Sequence, residues 1–465
     1  MTRSIILNPD QQSAIDQVTA FLKDPQVNAF ILCGSAGTGK TTLVAKIIER
    51  IRLMGVQSLL VAPTGRASRI LSTKLGHMLA GEAQPPDVMT LHSAIYYFKE
   101  ISVDVTRERY GKSSLEMRFP IKKEGNSFEL VIIDEASMVG DVRAMDSIMN
   151  FGSGFLLSDL VLYINKVMAQ TGQRIKMMFV GDLAQLSPVG SNISPALMPD
   201  YLSERFGFRT YLYELTTVMR QADKSGILQV ANTIRAHIFE PTYQAIQIEP
   251  NGTDISHASR EEAVKMIAYN LKYGRSSVAV AFSNKTVLGY NIAVRRLLWG
   301  RCGWATVREG EQLIVTRNCH ALGVSNGDIV TLGHVALKGI VHAVDLSNGK
   351  TVVLSFREVT FKEGIDNEDI NSYLILENLL KSHRRDLTDD EQLALLEHFE
   401  QRHPELDRKS EEFKARLAED PFYNALQVKF GYALTCHKAQ GGEWDHVIVD
   451  TEGVNTSQPK ATPDQ

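Results

Sequence analysis

Eight residues near the start of the chain carry its clearest chemistry. Gly34-Ser35-Ala36-Gly37-Thr38-Gly39-Lys40-Thr41 fit the pattern G-x-x-x-x-G-K-[ST]. The apolar run AFILCG (29–34) precedes them, and TTLVAKIIERI follows with helical spacing. In that setting the glycines let backbone N–H groups converge on phosphate oxygens, aided by the positive end of the helix. Lys40 would reach the β and γ phosphates, and Thr41 would hold Mg²⁺. Thr42 lies in the same first helical turn and joins the nucleotide-binding set.

A second group completes the site. Val131-Ile132-Ile133 lead to Asp134-Glu135 at a strand's C-terminal end. Asp134 would hold Mg²⁺ through water. Glu135 would orient and deprotonate the attacking water. No G-x-G-x-x-G cofactor loop is present, so nucleotide hydrolysis is favoured over a kinase or oxidoreductase.

These motifs need a scaffold with parallel strands. AFILCG, SLLVAP (58–63), FELVIID (128–134) and KMMFVGD (176–182) are continuous apolar runs separated by helical patterns. That alternation predicts a parallel sheet covered on both faces. SVAVAFSN, ending at Asn284, starts a second series after the helical REEAVKMIAYNLKYG. QVKFGYALTCHKAQG and DHVIVD are expected to return to that second sheet. Between these lie apparent insertions. Tyr96 to Glu124 alternates like a β-hairpin. EQLIVTRN, GDIVTLGHV, GIVHAVDL and KTVVLSFREV (311–358) predict a small antiparallel barrel with Asn-Gly turns at SNGD and SNGK. Residues 366–420 are expected to form acidic amphipathic helices, with Thr388 and Glu391 as a capping box.

Composition sets the outer bounds. The 465 residues suit two to four domains. With 44% hydrophobic and 22% charged residues, the chain is neither collagen-like, coiled-coil nor wholly disordered. No apolar run approaches the ~18 residues of a membrane span. The N-terminus has no signal-peptide pattern. Cys33, Cys302, Cys319 and Cys436 show neither disulfide nor zinc spacing, which suits a cytoplasmic protein. The net charge of −4 conceals an uneven distribution. Residues 361–420 hold 9 Lys/Arg against 17 Asp/Glu, so the remainder is net positive and a basic channel remains compatible with the whole-chain charge.

Further segments carry a resemblance. They are Leu7-Asn8-Pro9-Asp10-Gln11-Gln12, Ala62-Pro63-Thr64-Gly65-Arg66-Ala67, Thr90-Leu91-His92-Ser93, Asp134-Glu135-Ala136-Ser137 and Gly181-Asp182-Leu183-Ala184-Gln185-Leu186. Glu214-Leu215 with Met219-Arg220-Gln221, Phe282-Ser283-Asn284-Lys285 and Thr435-Cys436-His437-Lys438-Ala439-Gln440-Gly441 follow in order. The chain resembles superfamily 1 DNA helicases of the RecD/Dda branch across roughly residues 7–450.

The resemblance implies an α/β fold of two RecA-like P-loop NTPase domains, with ATP in the cleft between them and single-stranded DNA across both. It implies 5′→3′ movement. It casts Gln11 as reader of the adenine edge, Gln185 as γ-phosphate sensor with Asp182 in support, and Arg220 as a transition-state cation. Glu443 would contact the nucleotide sugar. Thr64, Thr90, His92, Asn284, Lys285, Thr435 and His437 would face DNA, with Asn284 and Lys285 ending a strand. The hairpin would be a strand-separating pin, its tip at Tyr110 or Met117–Phe119, and the barrel an SH3-like insertion. The partners implied are single-stranded DNA and tailed duplex DNA. The acidic helices suit a protein partner more than DNA.

The expected domains are 1–95 with 125–205 for the first RecA-like domain and 96–124 for its hairpin. The second is 206–298 with 425–465, interrupted by 299–424, which holds the barrel at about 309–358 and the acidic helices at about 366–420. The family's last motif, near Y-x-x-x-T-R-A, has no counterpart, since no Arg follows Arg416. A truncated chain, a strand and Arg supplied by a partner, or a slow ATPase each accommodate this. The alternative reading is therefore an ATP-gated nucleic-acid-binding or regulatory ATPase that does not unwind. A related RNA-helicase branch is a third reading.

Overall fold

Six short strands of the N-terminal half assemble into one parallel sheet in this computed structural model. The structure describes residues 7–35, 37–79, 87–97, 102–109, 112–125, 127–143, 149–217, 225–238, 247–300, 307–319, 322–363, 372–408 and 410–452. The chain divides into two compact units. The first holds Met1–Arg220 with Asp345–Lys350 and Gln392–Arg416; the second holds Gln221–Val344, Thr351–Glu391 and Leu417–Gln465.

In the first unit the strands are β1 (Ala29–Gly34), β2 (Ser58–Ala62), β3 (Val88–Thr90), β4 (Ser102–Arg109), β5 (Lys112–Phe119), β6 (Leu130–Ile133), β7 (Met149–Phe151), β8 (Lys176–Gly181) and β9 (Thr210–Leu215). The main sheet runs β3-β2-β6-β8-β1-β9, every pairing parallel. β1, β6 and β8 are buried at every residue, which is why they read as unbroken apolar runs. Helices Pro9–Lys23, Lys40–Leu53 and Gly65–Met78 bury Phe21, Ile47 and Leu75 against Leu32, Ile132 and Val180. β9 pairs with β1, so the first sheet extends to Leu215, beyond the expected boundary at 205.

β4 and β5 form the expected hairpin, and β7 adds to β5 in parallel. The tip expectation changes. Arg109 pairs with Lys112 and Ser102 with Arg118, so Met117–Phe119 falls at the hairpin's root. Phe119 is buried there and stacks on Phe151, with ring centroids 4.5 Å apart. Tyr110 lies outside the described residues.

In the second unit the strands are β10 (Ser277–Ala281), β11 (Gln312–Val315), β12 (Ile329–Val335), β13 (Ile340–Asp345), β14 (Thr351–Glu363), β15 (Tyr373–Leu376), β16 (Leu426–Phe430), β17 (Ala433–Thr435) and β18 (His446–Val449). A parallel sheet of order β17-β10-β18 is the second one expected from the sequence. The barrel runs β12-β11-β16-β15-β14-β13, and pairing of β12 with β14 closes it. Two expectations are corrected here. QVKF forms β16, a barrel strand, rather than joining the parallel sheet. The barrel is not wholly antiparallel, because β15 and β16 pair in parallel, and β15 lies in a stretch expected to be helical. Helices Asp389–Arg402 and Glu411–Glu419 do form. The capping box is present: the Thr388 N–H donates to Glu391 Oε2 at 2.8 Å, and the Glu391 N–H to Thr388 Oγ1 at 3.1 Å.

Sheet and barrel share one core, from Ile267, Ala279 and Val294 to Leu313, Val330 and Val428. A buried ion pair crosses it. Arg295, on helix Asn284–Trp299, pairs with Glu311 and lies 3.8 Å from the centre of the Phe430 ring. Burial pushes the Glu311 carboxyl up, although Arg295 and the Arg308 N–H oppose it. Removing one partner strands the other charge in an apolar core. Glu311→Ala should therefore cost about 3–5 kcal/mol, read as a lowered urea midpoint for the unit containing the barrel.

Candidate functional site

The parallel strands of the first sheet end on one edge, and the motif residues collect there. Gly34 ends β1, while Thr64, Thr90, Asp134 and Asp182 lie at or just past the ends of β2, β3, β6 and β8. The carboxyl ends of open parallel sheets are where such folds bind ligands.

The loop after β1 is held from inside. Gly37 and Gly39 have φ of 86° and 81°, a region where a side chain would be strained. The ammonium of Lys40 donates to the carbonyls of Gly34 at 2.7 Å and Ser35 at 3.0 Å. Thr38 Oγ1 donates to the Ser35 carbonyl at 2.9 Å. Thr41 and Thr42 follow Lys40 at the start of helix Lys40–Leu53, half-buried. Ala36 is outside the described residues.

Gln11 has a structural duty that its motif did not announce. It is buried, and Nε2 donates to the Thr38 carbonyl at 3.1 Å. Its Oε1 accepts from the Asn8 N–H at 3.2 Å in a capping box. One end of the amide thus braces the loop after β1, and the other caps the helix Pro9–Lys23. The neighbouring Asp10 accepts from the Tyr213 hydroxyl at 2.8 Å and from the N–H groups of Thr216 and Thr217, both at 2.9 Å. Burial pushes its carboxyl up, but these hydrogen bonds outweigh burial and hold it below its usual range. Arg220, a few residues on, lies outside the described residues.

The two carboxylates after β6 differ in posture. The Asp134 N–H donates to the Val61 carbonyl at 2.9 Å, fixing the end of β6 against β2. Burial raises its carboxyl, with the Glu135 N–H, Lys40 and Lys74 opposing. Glu135 has φ 49°, the one positive value of a non-glycine among the described residues. Such a posture costs on the order of 1–3 kcal/mol. The turn aims its carboxyl into the same pocket of charge. Burial, then Asp134 and Asp182, push it up to about 7, while Lys40 and Lys74 pull the other way. Its Oε2 is buried with no hydrogen-bond partner among the described residues. Lys74 was not identified from sequence, because nothing in the helix Gly65–Met78 marks it apart from other surface lysines.

Asp182 caps the loop that presents Gln185. Its Oδ1 accepts from the Ala184 N–H at 3.0 Å, and its carbonyl from the Gln185 N–H at 3.1 Å. Gln185 is half-buried. Glu443 is exposed beyond helix Cys436–Ala439.

The residues expected to face DNA form one group per unit. In the first, β2 and β3 are in register at Ala62 and Thr90, so Thr64 and Thr90 lie at one edge. Both cap helices: Thr64 Oγ1 accepts from Ala67 N–H, and Thr90 Oγ1 from Ser93 N–H, each at 3.1 Å. His92 packs edge-on against Phe151, centroids 5.0 Å apart, and beside Tyr96, whose hydroxyl donates to Asp159 at 2.7 Å. Burial pulls its imidazole down to about 4, although Asp159 opposes this. His92 is therefore neutral near pH 7 and braces the hairpin root rather than acting as a phosphate cation.

In the second unit, Ala281 of β10 is in register with Thr435 of β17. That brings Asn284 and Lys285 beside Thr435 and His437. Asn284 and Lys285 begin helix Asn284–Trp299 behind the Ser283 cap, rather than ending a strand. Lys285 and His437 are exposed. So is Phe282, an aromatic ring at the sheet edge whose exposure the apolar run had concealed.

Mg²⁺ characteristically takes only one or two protein carboxylates and keeps its waters. Thr41 and Asp134 suit that habit. Among the described residues no group of three or more His, Cys, Asp or Glu forms a richer metal site. Nor is any helix there long and apolar enough to cross a membrane.

Residues 17–151 match the AAA domain family, and residues 430–461 match the UvrD-like helicase C-terminal domain. The chain is 26% identical over 447 residues to the ATP-dependent RecD2 DNA helicase of Deinococcus radiodurans, covering 95% of this chain and 45% of that protein. The chain is similar to RecD-like superfamily 1 helicases.

The chain spans less than half the length of its Deinococcus relative. It is also 22% identical to uncharacterized protein R530 of Acanthamoeba polyphaga mimivirus, covering 98% of this chain and 95% of that one. A crystal structure of Pif1 helicase from Bacteroides with ADP-AlF3 and single-stranded DNA is similar at 18% identity and a TM-score of 0.43, over 96% of this chain and 86% of that one.

Proposed function

We propose that this chain is an ATP-driven DNA helicase that moves 5′→3′ on single-stranded DNA. The observation that carries the reading is Glu135: a buried carboxylate forced into a left-handed turn, beside Asp134 and Lys40, with one oxygen unpartnered. That is the posture of a group waiting to take a proton from water. The name of the Deinococcus relative, an ATP-dependent DNA helicase, supplies the substrate class.

The roles follow from the geometry. Loop amides around Gly37 and Gly39 would cradle phosphates, and Lys40 would exchange its loop carbonyls for phosphate oxygens. Mg²⁺, held by Thr41 and Asp134, would neutralise phosphate charge. Glu135 would orient the attacking water and accept its proton. Gln185, on a loop anchored by Asp182, would sense the γ-phosphate, and Arg220 would neutralise charge in the transition state. Gln11 and Glu443 would fix the nucleoside end, Gln11 from its place beneath the loop. Thr64, Thr90, Asn284, Lys285, Thr435 and His437 would contact the DNA backbone without reading sequence.

ATP turnover measured with and without single-stranded DNA tests the reading. DNA should stimulate turnover several-fold, and a duplex with a 5′ tail should unwind. Absence of stimulation would remove DNA as the substrate. Unwinding of only a 3′-tailed duplex would reverse the polarity. ATP and DNA binding without turnover would make the chain a regulatory switch.

The β4–β5 hairpin is proposed as the strand-separating pin. Its root is fixed by Phe119 on Phe151 and by Tyr96 on Asp159. Deleting 100–120 should lower unwinding at least tenfold while sparing DNA-stimulated turnover. Loss of both would make the hairpin structural.

A further inference from the structure

The acidic insertion contains one basic loop. Lys381-Ser382-His383-Arg384-Arg385 lies between β15 and helix Asp389–Arg402, and its four basic side chains are exposed. The surrounding stretch 361–420 is strongly acidic, yet this run contains no carboxylate until Asp386.

The loop is fixed from beneath by another cation. Lys429, on β16, donates its ammonium to the carbonyls of Ser382, at 3.2 Å, and Arg384. From Lys429 the chain runs through β17 directly into Thr435-Cys436-His437-Lys438. Lys438 is close enough to feel the same charges: burial, then Lys429, pull its ammonium down to about 8, Asp386 opposes them, and Arg385 adds to them. Asp386 offsets part of the charge, its Oδ2 3.4 Å from Arg385 Nε. Gathering Lys429, Lys438 and Arg385 around Asp386 is electrostatically uphill. An approaching polyanion relieves it.

We propose that the loop Lys381–Arg385 grips the phosphate backbone of single-stranded nucleic acid beside the Thr435–Lys438 segment. The proposal rests on the DNA reading above and extends the second unit's share of the strand path onto the insertion. The residues that follow the loop are strongly acidic, so the grip is proposed for the loop alone.

Titration of a fluorescent oligothymidylate by anisotropy, on the full chain across a salt series, tests it. Each phosphate contact contributes about 0.7 to the slope of log K against log salt for single strands. Lys381→Ser/Arg384→Ser/Arg385→Ser should weaken binding about tenfold or more at low salt and flatten that slope by about 2. The charge-keeping Arg384→Lys/Arg385→Lys should stay near wild type, and matching thermal melts establish that both variants fold. An unchanged slope in the neutral variant overturns the proposal. So does equal loss in the charge-keeping one, which would make the loop's shape, not its charge, responsible. Failure of the wild type to bind any oligonucleotide sinks the DNA reading itself.

Discussion

Lys40→Ala should abolish ATP turnover, lowering it by ~10²–10³-fold or more, the scale of losing one fixed electrostatic stabiliser in an active site. Two effects add. The ammonium lowers the carboxyl pKa of both Asp134 and Glu135, more strongly than Lys74 does. It also holds the carbonyls of Gly34 and Ser35, so its removal loosens the loop that cradles phosphate. ATP affinity should fall together with turnover. Steady-state phosphate release and binding of a fluorescent ATP analogue read the two separately. Turnover within threefold of wild type would refute the assignment of the phosphate site.

Glu135→Gln should separate the same two quantities. The amide keeps the size of the side chain and removes the proton acceptor. General-base catalysis contributes typically 10²–10⁴-fold, so turnover should fall on that scale while ATP affinity holds within a few-fold. An equal loss of both would refute the role. The wild type carries a pH signature too. Its Glu135 carboxyl sits near 7, raised first by burial and then by Asp134. A base must be ionised to work. Below pH 7, kcat/KM should therefore fall about tenfold per unit, and it should level off above. A flat profile between pH 5.5 and 8 would show that Glu135 is not the group that takes the proton.

Some of this was legible in the residues and some was not. The phosphate loop was legible because its chemistry is local: glycines, Lys40 and Thr41 are neighbours in sequence, and a strand and helix flank them. The buried strands of the first sheet were legible because a strand covered on both faces is apolar at every position. The hairpin and the Thr388–Glu391 capping box followed from contacts a few residues apart.

What failed were non-local choices. QVKF alternates polar and apolar residues and was grouped with the parallel strands, whereas its pairing with β11 and β15 places it in the barrel. Met117–Phe119 suited a pin tip by composition, yet Phe119 lies at the root because Phe151, far along the chain, stacks on it. His92 sits in an aromatic surround whose burial keeps it neutral, and its motif shows neither. Nor could the sequence show the strained turn at Glu135, the approach of Lys74, or Lys429 pinning a basic loop inside an acidic insertion.

The sequence by itself supplied the chemistry proposed for this protein: which groups would meet phosphate, which metal would suit them, and which carboxylate would be the base. Those depend on residues a few positions apart, whose geometry the backbone enforces. Only the tertiary structure decided which side chains are charged and which surfaces are open. Burial and the neighbours that packing brings from distant positions set both, and no pattern within one segment encodes them.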